Sequence, residues 1–67
     1  MKINLNNREE VFESEEMSIN QLLAAKNFTF RMLVVKVNGV LVKRHQFDQQ
    51  MVKDGDDVMV LHLITGG

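Results

Sequence analysis

The clearest local pattern in this 67-residue sequence is the start of one short helix between segments that alternate like strands. Ser18 precedes apolar residues at helical spacing, and Gln21 follows three residues later, which is the arrangement of a capping box. A helix of about nine residues is only marginally stable in water on its own. We therefore expect this helix to pack Ile19, Leu22 and Leu23 onto a sheet.

Two strands are predicted before the helix. Residues 1–6 alternate apolar and polar side chains, which is the period of a half-buried strand. The pair Asn6–Asn7 tolerates the left-handed backbone of a tight turn, and residues 9–13 are predicted to return as the second strand. The pattern leaves open whether Val11 or Phe12 points inward.

A hairpin is predicted after the helix. Residues 32–37 are rich in β-branched side chains and predict a strand, with Lys36 facing solvent. Asn38–Gly39 follows at once, and this dipeptide is typical of two-residue hairpin turns because both positions need a positive φ. Residues 40–43 are expected to form the short returning strand.

The remaining chain is predicted to end in a strand that is apolar on both faces. Residues 45–53 are expected to form a loop or a brief helical turn anchored by Phe47 and Val52, and Asp54–Asp56 contains a second turn. In the strand 57–63, Val58 and Val60 are expected to face the core. The outward positions are Met59, Leu61 and Leu63. Such a strand is either central in a covered sheet or partly exposed for a partner.

These elements predict an α+β fold with a mixed four- to five-stranded sheet crossed by one helix. The order is ββαβ(β)β, without repeats or linkers, so residues 1–67 are expected to form a single domain. Residues 64–67 are predicted to be a flexible tail beyond the last strand. The sequence contains no cysteine, so neither a disulfide nor a cysteine-based zinc site supports the small core.

Composition excludes several functional classes. The formal net charge is −1 and no basic stripe is visible, which argues against nucleic-acid binding. The longest apolar run is far shorter than the roughly 20 residues that span a membrane. The N-terminus lacks the apolar segment of a signal peptide, so we expect a cytoplasmic protein. Acidic residues cluster in 9–16 and 54–57, either as solvated loops or as an acidic edge that steers the protein to a basic partner.

The side chains offer no constellation typical of a catalytic centre. His45 and His62 are single histidines in different predicted elements, and we expect no metal site at either. A deep active site would also take core volume that so short a chain can hardly spare. These features argue against an enzyme.

The main-chain end is the remaining candidate for chemistry. From Leu63 onward the chain can extend roughly 17 Å, and Gly66 and Gly67 lack a Cβ, so they can enter a narrow channel. A carboxylate resists nucleophilic attack, but its mixed anhydride with AMP can be opened by a sulfur nucleophile. Without cysteine the chain cannot hold a persulfide. If the chain carries sulfur, Gly67 is therefore the expected site of adenylation and thiocarboxylate formation, with Thr65 and Gly66 threading into the partner. Taken alone, a terminal Gly-Gly is equally typical of a frayed chain end.

The motifs resemble those of the ThiS family of sulfur carriers, across essentially the whole chain. They are Val37-Asn38-Gly39, Val42-x-Arg44, Asp54-Gly55-Asp56-x-Val58, the helix start Ser18-x-x-x-Leu22-Leu23 and the terminal Gly66-Gly67. One departure is Phe47, near the position where members often have tryptophan. The resemblance implies a ubiquitin-like β-grasp fold.

The resemblance also implies partners and a role. A ThiF-type, E1-like enzyme would use ATP to adenylate Gly67, and a sulfur donor such as a cysteine desulfurase would supply the sulfur. The thiocarboxylate would then serve thiazole synthase, of the ThiG type, in thiamine biosynthesis. The carrier would be a protein cosubstrate with no bound cofactor. Related carriers pack an outward apolar residue of the last strand on the activating enzyme, and Leu61 matches that position, flanked by Met59 and Leu63.

Two alternatives remain open at the level of sequence. The ending Thr65-Gly66-Gly67 is also similar to MoaD, the sister carrier of molybdopterin synthesis. A different class is a ubiquitin-like module that binds without covalent chemistry or is conjugated to lysine.

Overall fold

The computed structural model describes residues 1–29 and 31–63. Within these ranges the chain forms seven strands, one α-helix and one 3₁₀ helix. In chain order they are β1 (Lys2–Leu5), β2 (Arg8–Val11), β3 (Glu16–Ser18), α1 (Ile19–Ala25), β4 (Leu33–Val37), β5 (Val40–Val42), the 3₁₀ helix Arg44–Gln46, β6 (Met51–Lys53) and β7 (Asp57–His62).

Five of the strands form a mixed sheet in the order β2-β1-β7-β4-β5. Strands β1 and β7 are parallel, while the neighbouring pairs β1–β2, β4–β7 and β4–β5 are antiparallel. The last strand therefore lies at the centre of the sheet. The predicted mixed sheet with one crossing helix is confirmed.

Both hairpin turns adopt the backbone that their sequences predict. Asn6 and Asn7 have φ of 52° and 65°, and Asn38 and Gly39 have φ of 51° and 83°. Each turn spans two residues between paired strand ends, which sets the register of the strands that it joins.

Helix α1 begins at the predicted capping box. The Ser18 hydroxyl accepts from the Gln21 N–H at 3.1 Å, and the Gln21 side chain accepts from the Ser18 N–H at 2.8 Å. At the other end, the Lys26 ammonium lies 3.0 Å from the Glu10 carboxylate on β2. The helix is thus fixed at both ends above the sheet.

One face of the sheet and the helix enclose the core. The buried apolar residues are Ile3, Leu5, Ile19, Leu22, Leu23, Val35, Val37, Val42, Phe47, Val52, Val58 and Val60. Phe12 is partly buried against this cluster while Val11 is 72% exposed, which decides the orientation that the sequence left open.

The prediction of a loop or a brief helical turn over residues 45–53 is wrong in part. Met51–Lys53 forms β6, which pairs antiparallel with β3, and neither short strand was predicted. Three residues are too few to show an alternating pattern, and the partners are far apart in sequence. The anchoring residues Phe47 and Val52 are buried as expected.

Candidate functional site

Strand β7 presents an apolar surface on the side of the sheet opposite the helix. Val58 and Val60 are buried in the core, as predicted, whereas Leu61 is 46% exposed and Leu63 is 44% exposed. Met59, two residues before Leu61 on the same side of the strand, is half-buried. The strand is central, yet its outer side is open to solvent in the described chain.

The apolar surface continues onto β4 and β5. Val34 lies directly opposite Leu61, and Lys36 lies opposite both Met59 and Leu41. Directly opposite residues share one face and have Cβ atoms roughly 5 Å apart. Leu61 and Val34 are therefore adjacent on the outer side of the sheet, and Lys36 lies between Met59 and Leu41 on that same side.

We call this surface the outer apolar face, formed by Met32, Val34, Leu41, Met59, Leu61 and Leu63. The sequence predicted that Met59, Leu61 and Leu63 face outward, but it did not predict the other three members. Alternation with Lys36 was a sufficient signal for Val34 and Met32, because the residues of one strand face follow every second position. Leu41 was not assignable without the register of the β4–β5 hairpin.

Side-chain hydrogen bonds hold the N-terminal end of β7. The Asn38 side chain donates to Asp56 Oδ1 at 3.0 Å and accepts from the Asp57 N–H at 2.8 Å. In mid-strand, Asn6 Oδ1 accepts from the Val60 N–H at 2.7 Å. These bonds hold the strand that leads into the predicted tail.

The acidic residues of 54–57 have structural partners. Asp54 Oδ1 accepts from the Lys2 N–H at 2.7 Å, and Asp56 Oδ2 accepts from the Lys53 N–H at 2.9 Å. The Asp56 bond closes the turn between β6 and β7, and the Asp54 bond ties that turn to β1, so that these two carboxylates stabilise the fold.

The predicted tail residues Thr65, Gly66 and Gly67 lie outside the described residues, and their roles stay predictions. The last described residue is Leu63, whose N–H donates to the Met32 carbonyl at 3.0 Å. The pairing of β7 with the β4 side thus continues up to the residue that precedes the predicted tail.

The two histidines lie apart. His45 is exposed in the 3₁₀ helix, and His62 is at the end of β7, where it lines a cavity of about 160 Å³ with Phe28 and Leu33 among others. Within residues 1–29 and 31–63 no cluster of histidine and acidic side chains has the arrangement of a metal site. Nor does any helix in these ranges have the length and hydrophobicity needed to cross a bilayer.

A family model for the ThiS family matches residues 1–67 of this sequence. The chain belongs to the ThiS family. A ThiS-family match over the full length includes the terminal Gly66-Gly67 as well as the strands that form the outer apolar face. No curated protein matches the chain in a sequence search.

Two solved structures support membership in the ThiS family. A crystal structure of the thiamine biosynthesis protein ThiS from Geobacter metallireducens is 30% identical, with a TM-score of 0.89 and full coverage of both chains. A solution structure of a thiamine biosynthesis protein from the same organism is 32% identical, with a TM-score of 0.81, and the match covers all of this chain and 88% of that one. The fold is the ubiquitin-like β-grasp that the resemblance implied.

Proposed function

We propose that this protein is a sulfur carrier of thiamine biosynthesis and that its reactive group is the carboxylate of Gly67. The observation that carries the proposal is the ThiS-family match over all 67 residues, supported by structural neighbours that are thiamine biosynthesis proteins. Those neighbours favour the thiamine pathway over the molybdopterin pathway of the sister carrier.

The proposed chemistry takes place in the active sites of partner enzymes. An oxygen of the Gly67 carboxylate attacks the α-phosphorus of ATP and expels pyrophosphate, which gives an acyl adenylate. Free hydrosulfide, or the terminal sulfur of a donor persulfide, then attacks the acyl carbon and expels AMP. In the persulfide case the resulting acyl disulfide is cleaved by a thiol reductant, which becomes oxidised to a disulfide. The product is a thiocarboxylate, whose sulfur is donated to thiazole formation. The chain thus acts as a cosubstrate, and ATP is bound by the activating enzyme.

The outer apolar face provides a surface next to the predicted tail to which the activating enzyme binds. Leu61 lies near the end of β7 and Leu63 directly follows the strand, and both side chains are exposed. Contact there orients the chain while Thr65 and Gly66 thread toward the active site. The absence of a Cβ on Gly66 and Gly67 suits a narrow passage.

The proposal is tested by the intact mass of the protein after incubation with a ThiF-type enzyme, ATP and a sulfur donor. The parent chain should gain the mass difference between one sulfur and one oxygen atom. A chain that lacks Gly67 should keep its mass while unfolding at the same urea concentration as the parent. Sulfur acquired by the Gly67-deleted chain would rule out the terminal carboxyl as the carrier group.

The acceptor enzyme distinguishes the pathways. The thiocarboxylated chain should support thiazole formation by a ThiG-type synthase and should fail with a molybdopterin synthase. Formation of an isopeptide with a lysine, instead of a mass gain, would indicate a conjugated modifier.

A further inference from the structure

Charged residues are divided unequally between two parts of the sequence. Residues 17–47 contain no Asp or Glu, so that all nine acidic residues lie outside this segment. The same segment contains the basic residues Lys26, Arg31, Lys36, Lys43 and Arg44. The fold turns this division into a division across the sheet, because 17–47 includes β4 and β5.

The basic side of the sheet borders the outer apolar face. Lys36 is exposed on β4, in the row that runs from Met59 to Leu41. Lys43 follows the buried Val42 in extended backbone, which places it on the same side as Leu41 by alternation. The Arg44 guanidinium donates to the Arg31 carbonyl, beside Met32.

The other side of the sheet carries charges of both signs. Glu9 on β2 lies 3.7 Å from the Lys2 ammonium, and Asp57 at the start of β7 accepts from the Asn4 side chain at 2.8 Å. Since neighbouring strands are roughly 4.8 Å apart, the two margins of the five-stranded sheet are separated by roughly 19 Å. A partner that covers the sheet therefore meets positive charge along β4 and β5 but charges of both signs along β1 and β2.

Among residues 1–29 and 31–63, Lys36 has no carboxylate partner. In the described ranges the ion pairs are Lys2–Glu9 and Lys26–Glu10, and Lys36 and Lys43 take part in none. The neighbours of Lys36 across the strands are Met59 and Leu41. A partner that buries these two apolar side chains also removes water from the Lys36 ammonium, and an unpaired buried charge is strongly unfavourable.

We propose that the partner bound to the outer apolar face places an Asp or Glu side chain against Lys36 and further acidic groups along Lys43 and Arg44. The partner surface is thus apolar opposite Leu61 and acidic toward β5. This charge arrangement sets the orientation in which the carrier docks, and hence the direction in which its C-terminal residues enter. The identity of the partner as the activating enzyme rests on the proposed function.

The test compares two uncharged variants of equal size. Lys36→Met removes the ammonium but keeps an apolar side chain, while Lys53→Met makes the same change on β6, which belongs to the separate two-stranded sheet. The readout is the KM for the carrier in ATP–pyrophosphate exchange by the ThiF-type enzyme, measured across a range of salt concentrations. Urea unfolding of each variant checks that it is folded.

We expect Lys36→Met to raise KM at least about tenfold and Lys36→Glu about a hundredfold, because the partner carboxylate loses its counter-charge or is repelled. Lys53→Met should change KM by less than about twofold, because Lys53 is an exposed charge outside the outer apolar face. The salt dependence of KM should be shallower for Lys36→Met than for the parent, since fewer charges are then screened.

A Lys36→Met variant that is adenylated as efficiently as the parent, or more efficiently, would overturn the inference. Failure of the parent itself to be adenylated would instead contradict the proposed function. Sedimentation of the chain without enzyme tests whether a second copy of the chain covers the outer apolar face instead. A stable dimer that Leu61→Asp dissociates would assign the face to another copy of the chain and overturn the inference as well.

Discussion

Asn6 shows how one residue links the turn of the first hairpin to the central strand. Its φ of 52° was expected from the Asn6–Asn7 pair, because asparagine tolerates the left-handed region better than most residues. Its side-chain bond to the Val60 N–H was not predictable, since the two residues are 54 positions apart. The bond depends on the parallel pairing of β1 with β7.

Two glycine substitutions separate the contribution of the Asn6 side-chain bond from that of its positive φ. Asn6→Gly keeps the ease of positive φ but removes the acceptor of the Val60 N–H, so unfolding free energy should fall by about 1–2 kcal/mol. Asn7→Gly, at φ of 65°, is the matched control and should change it by less than about 0.5 kcal/mol. Urea unfolding measures both. Equal losses in the two variants would mean that the Asn6–Val60 bond contributes nothing.

At the scale of elements, sequence prediction succeeded where a segment carries a long pattern or a specific turn dipeptide. Helix α1 was predicted from its cap and spacing, and β7 from six consecutive strand positions. Strands β3 and β6 were missed because each has three residues and is formed by its pairing with the other. Their existence follows from tertiary packing around Val52, which local sequence does not encode.

The cap of α1 gives a test at this scale. Ser18→Ala removes the hydroxyl that accepts from the Gln21 N–H at a site where Ser18 is only 7% exposed, and it should lower unfolding free energy by about 1 kcal/mol. A loss of that size lowers Tm by about 4–8 °C in a domain of this length. Ser14→Ala, at an exposed residue before β3, is the control and should leave Tm nearly unchanged. Identical melting of the two variants would mean that the cap does not stabilise the helix.

At the scale of the whole molecule, the sheet has a core side and an outer side, which carries the outer apolar face. The sequence predicted which β7 residues belong to each side, because the period of two runs through the whole strand. It did not predict that β4 and β5 enlarge the outer apolar face, since this depends on strand order and register. The predicted roles of Thr65, Gly66 and Gly67 rest on the family match and the chemistry of a terminal carboxylate.

Because the two sides of the sheet are separate, we expect that one substitution can weaken binding to the activating enzyme while the fold stays intact. Leu61 is 46% exposed and its neighbour across the strands is Val34, so Leu61→Asp places a carboxylate in the middle of the outer apolar face and leaves the core intact. We expect unfolding free energy to change by less than about 1 kcal/mol. The KM for adenylation should rise at least about tenfold, which corresponds to about 1.4 kcal/mol of lost binding.

The matched control for Leu61→Asp is Val11→Asp, which introduces the same carboxylate at a 72% exposed apolar residue on the edge strand β2. Because β1 separates β2 from β7, this change lies outside the outer apolar face and should leave KM within about twofold of the parent. If the two variants weaken adenylation equally, the effect comes from net charge, and the outer apolar face is not where the activating enzyme binds. If neither does, contact with that enzyme is confined to the residues beyond Leu63.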